Sequence, residues 1–142
     1  MTIRLSSALC AGLLLAATAG PAAAQVQTEW QEVAVSDNKQ VYVNPATVKT
    51  AGGMVDARFK ENFVQPQPST KKGKSYLSAK NDYRFDCAQR KLAYRKIEAY
   101  EAADFGGKMV QKARFGDKNL TWMDAPEGTV FGEMLAWACA KL

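Results

Sequence analysis

The sequence predicts an α+β domain: an antiparallel β-sheet of about five to six strands, covered by a C-terminal α-helix, with one disulfide joining helix to sheet. Three observations support this fold class. Residues 54–63 and 75–87 alternate between apolar and polar side chains, as strands with one buried and one solvated face do. Residues 130–139 are apolar at helical spacing. Two cysteines, Cys87 and Cys139, remain after the N-terminal segment is removed.

The N-terminal segment has the layout of an export signal. Arg4 supplies the positive n-region, residues 5–17 carry no charge, and Ala22–Ala24 offers small residues for cleavage. We therefore predict that residues 1–24 are a signal peptide and residues 25–142 a single domain. The apolar stretch is too short to anchor in a bilayer, and no second segment approaches 18 apolar residues, so we expect no stable membrane span. The predicted location is the periplasm or the medium, and the cell surface is a third destination.

Cleavage also changes the cysteine count from three to two. Cys10 lies in the signal and leaves with it. Lipidation of Cys10 is the alternative, but Leu9 stands where a lipidation site needs a small residue. An even pair in an oxidising compartment is typical of a disulfide, so Cys87 is expected to bond to Cys139.

Composition argues against an enzyme. The chain has no histidine, which removes the commonest general base and the commonest zinc ligand. With both remaining cysteines paired, thiol catalysis and thiolate metal sites are excluded as well. A two-carboxylate hydrolase stays formally open, but no spacing singles out such a pair. We therefore expect no catalytic residue, no metal site and no cofactor.

The charge suits an acidic partner. The signal contains one arginine and no acidic residue, so the net charge falls from +5 for the whole chain to +4 after cleavage. This mild excess favours a protein or an anionic polymer as partner, and export argues against nucleic acid.

The first elements follow from turn chemistry. Residues 30–35 and 40–43 predict a hairpin around a turn rich in turn formers. Residues 44–48 are expected to form a turn or one helical turn, because Asn44 can cap it and Pro45 suits the first helical position. The strand at 54–63 carries one misfit, Glu61, on its apolar side. Residues 65–74 predict a long, exposed, basic loop.

The second half contains one ambiguous segment. Residues 92–103 favour helix by propensity, and as a strand the phase of Leu92, Tyr94 and Tyr100 disagrees with that of Ile97. Residues 108–115 predict a further strand, followed by a turn at 116–119. Thr129 is a suitable N-cap for the final helix, whose apolar surface requires a broad hydrophobic floor.

Taken in order, these segments resemble the surface-adhesin protein E family of Gram-negative bacteria, from Trp30 to the C-terminus. The resemblance is carried by Trp30, Val41-Tyr42-Val43-Asn44-Pro45 with Val48, Tyr76-Leu77-Ser78, Phe85-Asp86-Cys87, Tyr100 before Gly106-Gly107, Trp122, Pro126-Glu127-Gly128-Thr129 and residues 135–139. It implies an antiparallel sheet covered by a C-terminal helix, with a disulfide between them. It also implies that residues 92–103 form a strand despite their propensity.

The resemblance implies a non-enzymatic module that binds host extracellular proteins. Surface-displayed members of the family are lipoproteins, whereas this chain is predicted to have a cleaved signal without a lipid anchor. The alternative is therefore a soluble periplasmic accessory protein that binds an envelope component or a partner subunit.

The candidate protein-binding residues are basic side chains close to Cys87 in sequence. We hypothesise that they form a cationic face for an acidic protein or polymer. The alternative is a solvated sheet face on which Asp82, Asp86 and other acids offset the bases. The candidates are Lys80, Arg84, Arg90, Lys91, Arg95 and Lys96.

Two further expectations concern packing and assembly. The three tryptophans, Trp30, Trp122 and Trp137, are expected in the core because each has a large area to bury. Edge strands of the sheet also allow a homodimer formed by strand addition.

Overall fold

The structure, a computed structural model, describes residues 29–142 of the 142-residue chain. The predicted signal peptide and Cys10 lie outside the described residues. The elements are β1 (Gln31–Val35), β2 (Lys39–Ala51), β3 (Met54–Pro68), β4 (Ser75–Asp86), β5 (Lys91–Tyr100), β6 (Met109–Arg114), β7 (Met123–Asp124) and α1 (Val130–Cys139). Short 3₁₀ turns lie at Ala103–Phe105 and Asp117–Asn119.

The strands form one antiparallel sheet in which β1 to β6 lie side by side in chain order. The two-residue strand β7 pairs with the start of β5, on the edge whose remainder is occupied by β6. Helix α1 packs on one face of the sheet. The predicted fold class is therefore confirmed. Among residues 29–142, no helix has the length and apolar character needed to cross a membrane.

The core lies between the sheet and α1. Phe59, Phe85 and Leu92 from the sheet and Met134 from the helix are completely buried. Trp137 packs edge-on against Phe59, with 6.2 Å between the ring centres. Burying these side chains against each other contributes roughly 1.5–3 kcal/mol per large apolar residue. The apolar surface of α1 is buried against this face of the sheet.

The disulfide is also confirmed. Cys87 directly follows β4, Cys139 ends α1, and the two Cα atoms are 5.7 Å apart. The bond links positions 52 residues apart in sequence and so ties the end of the helix to the sheet.

The start of α1 depends on a cap and a glycine. The Thr129 side chain accepts a hydrogen bond from the Gly132 backbone N–H at 3.1 Å, as predicted for an N-cap. A Cβ atom at Gly132 would lie 2.1 Å from the Pro126 carbonyl oxygen. Only glycine therefore lets the helix approach the preceding turn this closely.

Two predictions about irregular segments are wrong. Residues 44–48 form neither a turn nor a helix but a bulge within β2, between Asn44 and Lys49, because both flanks pair with β3. The Asn44 side chain still accepts from the Ala46 N–H at 3.1 Å, so its turn chemistry shapes the bulge. The loop predicted at 65–74 is shorter than expected. Strand β3 runs to Pro68, so only residues 69–74 form the turn.

A second bulge explains the ambiguous segment. Asp82 pairs with Lys96 and Tyr83 pairs with Tyr94, so Arg95 has no partner on β4. This extra residue shifts the alternation of β5 by one. Leu92 and Tyr94 before the bulge and Ile97 after it therefore face the same side. Tyr100 still lies on the other face, where it pairs with Ser78 and packs against Phe105. The strand implied by the family resemblance is confirmed.

Only one tryptophan meets the expectation of a core position. Trp137 packs in the core, but Trp122 is 37% exposed. Trp30 precedes β1 and packs against Phe105, with ring centres 5.6 Å apart, outside the core cluster. The expectation of a core position is therefore wrong for Trp30 and Trp122.

Glu61, the misfit of the alternating pattern, is buried at 1% exposure. One of its oxygens lies 2.6 Å from the Lys39 ammonium group, and the other accepts from the Asn81 amide at 3.0 Å and from the Tyr83 hydroxyl. Burial, and after it the charge of Glu61, raises the pKa of Tyr83 well above its ordinary value. Tyr83 therefore stays protonated and remains a donor to Glu61.

Candidate interaction face

The sheet face opposite α1, here called the open face, is the place where the predicted basic residues gather. Along β3, alternate residues point to the core, and Asp56, Arg58 and Lys60 between them point away from it. The neighbouring strands continue this pattern in register, so the open face carries rows of charged side chains from β4 and β5. These are Lys80, Asp82, Arg84, Arg95, Lys96 and Glu98.

A network of ion pairs occupies the middle of the open face. Arg84 donates to both carboxylate oxygens of Asp56 at 2.7 Å, and these hydrogen bonds raise the pKa of Arg84. Arg95, placed here by the bulge in β5, lies 3.2 Å from the same carboxylate. Asp117 in the turn after β6 closes the network, at 3.1 Å from Arg84 and 2.9 Å from Arg95. Two arginines thus share two carboxylates.

Two predicted lysines share a single carboxylate. Glu98 on β5 lies 3.2 Å from Lys80 and 2.6 Å from Lys96. Partial burial by itself would raise the pKa of Glu98, but hydrogen bonds from the two lysines outweigh it and lower the pKa. Glu98 is therefore ionised at neutral pH, and the lysines keep an excess of one positive charge.

One end of the open face is covered by the 3₁₀ turn Ala103–Phe105. Asp104 in this turn lies 2.8 Å from the Lys60 ammonium group, whose hydrogen bond lowers the pKa of Asp104. The Ser78 hydroxyl donates to the Ala102 carbonyl oxygen at 2.6 Å and accepts from the Phe105 N–H at 2.9 Å. The ammonium group of Lys60 also lies 5.6 Å from the centre of the Trp30 ring. This end of the face is closed by aromatic packing.

The other end holds an open groove of about 730 Å³. Its charged lining comprises five cations and two carboxylates, drawn from the bulge of β2, the middle strands and the end of β6. Among residues 29–142, Lys49 and Arg114 have no acidic group within 4.0 Å. The charged residues are Lys49, Arg58, Arg95, Lys96, Arg114, Asp56 and Asp82.

The structure brings four of the six predicted residues onto the open face: Lys80, Arg84, Arg95 and Lys96. Of the other two, Arg90 lies in the β4–β5 turn, 3.5 Å from Glu127, and Lys91 is the first residue of β5, 4.0 Å from Asp124. All six predicted residues therefore have acidic neighbours, and their role in binding stays a prediction.

Three groove cations were not among the candidates. Arg58 was on the polar side of a predicted strand, and that position could have suggested it. Lys49 and Arg114 stand 65 positions apart in sequence, and only the paired strands place them at one groove. Among residues 29–142, no group of three or more potential metal-ligating side chains clusters.

Acidification should weaken the fold through Glu98. A carboxylate whose pKa is lower in the folded state contributes stability above its unfolded pKa of about 4.3, and this stability is lost as the pH falls through the folded value. We expect Glu98→Gln to reduce the difference in unfolding free energy between pH 7 and pH 3 by about 1 kcal/mol or less. Urea unfolding at both pH values measures this difference.

Glu133→Gln is the control, because Glu133 is exposed on α1 and makes no ion pair among residues 29–142. This substitution should leave the difference in unfolding free energy between pH 7 and pH 3 nearly unchanged. An equal effect of the two substitutions would contradict the assignment of this acid sensitivity to Glu98.

Comparison with known proteins adds to this geometry. The family model described as surface-adhesin protein E matches residues 30–140. Among solved structures, the chain is similar to Haemophilus influenzae protein E, with a TM-score of 0.56 and 12% identity, covering 82% of this chain and 87% of that one. A structure of protein E from non-typeable Haemophilus influenzae matches with a TM-score of 0.53 and 14% identity, covering 85% and 81%. At these identities the structural matches support the fold. The curated proteins contain no significant match.

Proposed function

Because the chain belongs to the surface-adhesin protein E family, we propose that it is an exported, non-enzymatic binding module that engages an acidic partner through the open face of its sheet. The partner is a host extracellular protein or another acidic polymer. Export follows from the predicted signal at residues 1–24. The whole sequence contains no histidine, which supports binding rather than acid–base catalysis.

The observation that carries this proposal is the asymmetry of the sheet. One face is covered by α1 and the disulfide, whereas the opposite face carries rows of charged side chains and a groove with more cations than carboxylates. Arg84 and Arg95 are held in place by Asp56 and Asp117. Binding a partner therefore costs little further side-chain entropy at these two residues. A fixed, basic surface of this kind favours an acidic partner.

The proposal is tested by removing the four predicted cations of the open face. The variant Lys80→Gln, Arg84→Gln, Arg95→Gln, Lys96→Gln should bind immobilised basement-membrane extract at least tenfold more weakly than the natural protein. Binding of the natural protein should fall as sodium chloride rises, because salt screens exposed charges. Surface plasmon resonance measures both effects, and circular dichroism confirms that the variant is folded.

The matched control removes the same charge from exposed lysines elsewhere, with Lys71→Gln, Lys72→Gln, Lys108→Gln, Lys118→Gln. It should bind within a factor of two of the natural protein. Equal losses in the two variants, or binding that does not respond to salt, would show that the open face is not the binding surface.

The alternative function is a soluble periplasmic accessory protein, and the predicted cleavage without a lipid anchor favours it. Cell fractionation with mass spectrometry of the mature N-terminus separates the two functions. A free amine at Gln25 in the periplasmic fraction alone would favour the alternative, and a diacylated Cys10 at the cell surface would favour adhesion.

A further inference from the structure

The groove at the uncovered end of the open face differs from the rest of that face in its charge balance. Most cations of the open face sit against carboxylates, as Arg58 does with Asp82 at 2.7 Å. Lys49 and Arg114 line the groove without an acidic group within 4.0 Å among residues 29–142. Five cations against two carboxylates leave a surplus of three positive charges in the lining. Glu98 and Asp117 also pair with Lys96 and Arg95, but each is shared with a further cation, Lys80 or Arg84. Counting these four groups as well gives seven cations against four carboxylates, so the surplus stays at three.

The paired arginines of the groove retain hydrogen-bonding capacity. Arg58 uses its Nε and one terminal nitrogen to bind Asp82, and its side chain is 37% exposed. A guanidinium group has five N–H donors, so further donors remain available for an anion. Arg58 is thus a positioned group that can bind sulfate or carboxylate oxygens in addition to its internal partner.

The lining is rich in charged side chains and poor in large apolar ones. Phe115 is its one large apolar side chain that is not buried in the core, and Ala46 and Ala57 are small. Hot spots of protein–protein interfaces are enriched in Trp, Tyr and Arg and lie in well-packed pockets that exclude water. An open groove with cations along it and only one accessible aromatic ring suits a hydrated chain with repeated negative groups. Its volume of about 730 Å³ lies within the range typical of ligand sites.

From these observations we infer that the groove between Lys49 and Arg114 binds a segment of a sulfated or carboxylated polysaccharide. This inference rests on the proposed function and narrows it to one partner class and one part of the open face. Lys49 and Arg114 would supply the charge that no internal carboxylate neutralises. Arg58, Arg95 and Lys96, already oriented by Asp82, Asp56 and Glu98, would supply further donors along the chain.

The test removes the two groove cations that form no ion pair among residues 29–142. The variant Lys49→Gln, Arg114→Gln breaks no ion pair among residues 29–142, so it should unfold at the same urea concentration as the natural protein. Its dissociation constant for a heparin hexasaccharide should rise tenfold or more. The control Lys71→Gln, Lys72→Gln removes the same charge from the exposed β3–β4 turn and should change the dissociation constant less than twofold. Isothermal titration calorimetry measures all three proteins.

Two competitors identify the ligand class. A polyglutamate peptide of the same charge as the hexasaccharide should bind at least tenfold more weakly, and inorganic sulfate should compete only at millimolar concentrations. Equal hexasaccharide affinity of the groove and control variants would overturn the proposal. So would polyglutamate that binds as tightly as the hexasaccharide, since the site would then recognise acidic protein.

This outcome is separable from that of the proposed function. If the groove variant retains hexasaccharide binding while the four-cation variant loses basement-membrane binding, the groove assignment fails and the proposed function stands. If the four-cation variant keeps its basement-membrane binding, the proposed function itself fails.

Discussion

Replacing both Cys87 and Cys139 by alanine should lower the free energy of unfolding by about 4 kcal/mol. The bond joins residues 52 positions apart, and chain-entropy arithmetic for a loop of that length gives this value. The end of α1 would then be held to the sheet only by packing of residues such as Met134 and Ala138. Urea unfolding of the oxidised protein and of the double variant measures the difference. The melting temperature should fall by about 10 °C or more.

A reducing agent provides the control for this prediction. It should destabilise the natural protein by a similar amount and leave the double variant unchanged, because the variant has no bond to lose. A double variant that unfolds at the same urea concentration as the oxidised natural protein would show that the disulfide contributes nothing to stability. A response of the variant to the reducing agent would show that the agent acts elsewhere.

Replacing Glu61 by leucine should cost about 3–5 kcal/mol of stability, although leucine fits the apolar pattern of β3 better than glutamate. The substitution leaves the Lys39 ammonium group, which is 15% exposed, without its carboxylate at 2.6 Å. It also leaves the Tyr83 hydroxyl and the Asn81 amide without their acceptor in the core. Urea unfolding at pH 7 measures the loss.

The same substitution at Glu133 is the matched control, because that side chain is exposed on α1. Glu133→Leu should change stability by about 0.5 kcal/mol or less. The double variant Lys39→Met, Glu61→Leu should be more stable than Glu61→Leu alone, since removing both charges avoids a buried, unpaired cation. A cost of under 1 kcal/mol for Glu61→Leu, or no recovery in the double variant, would contradict a coupled pair.

These two predictions bear on how the open face is supported. The disulfide and the Glu61 cluster both lie on the core side of the sheet, whereas the charged rows lie on the other side. Arg84 and Phe85 are adjacent in sequence, yet one faces Asp56 and the other the core. Substitutions of open-face cations should therefore change binding more than folding, which is what the proposed binding experiments require.

The sequence by itself was sufficient to predict the main elements. Alternation predicted β3 and β4, Thr129 predicted the start of α1, and the cysteine count predicted the disulfide. These features depend on the period of a strand, on a single capping hydrogen bond and on the number of available thiols. Each of these features depends on a short stretch of sequence or on a residue count. It can therefore be predicted without knowing which strands are neighbours. The misfit at Glu61 was visible too, but its partners were not.

The tertiary structure decided what depends on pairing and register. The bulge at Arg95 resolves the phase of β5, because the partner strand determines which residue is left out of the ladder. The same register gives the predicted cations their acidic partners, including Asp117 from a distant turn. It also brings Lys49 and Arg114 to one groove. Alternation determines on which face a side chain lies, whereas its neighbours on that face follow from hydrogen bonds between strands that are far apart in sequence.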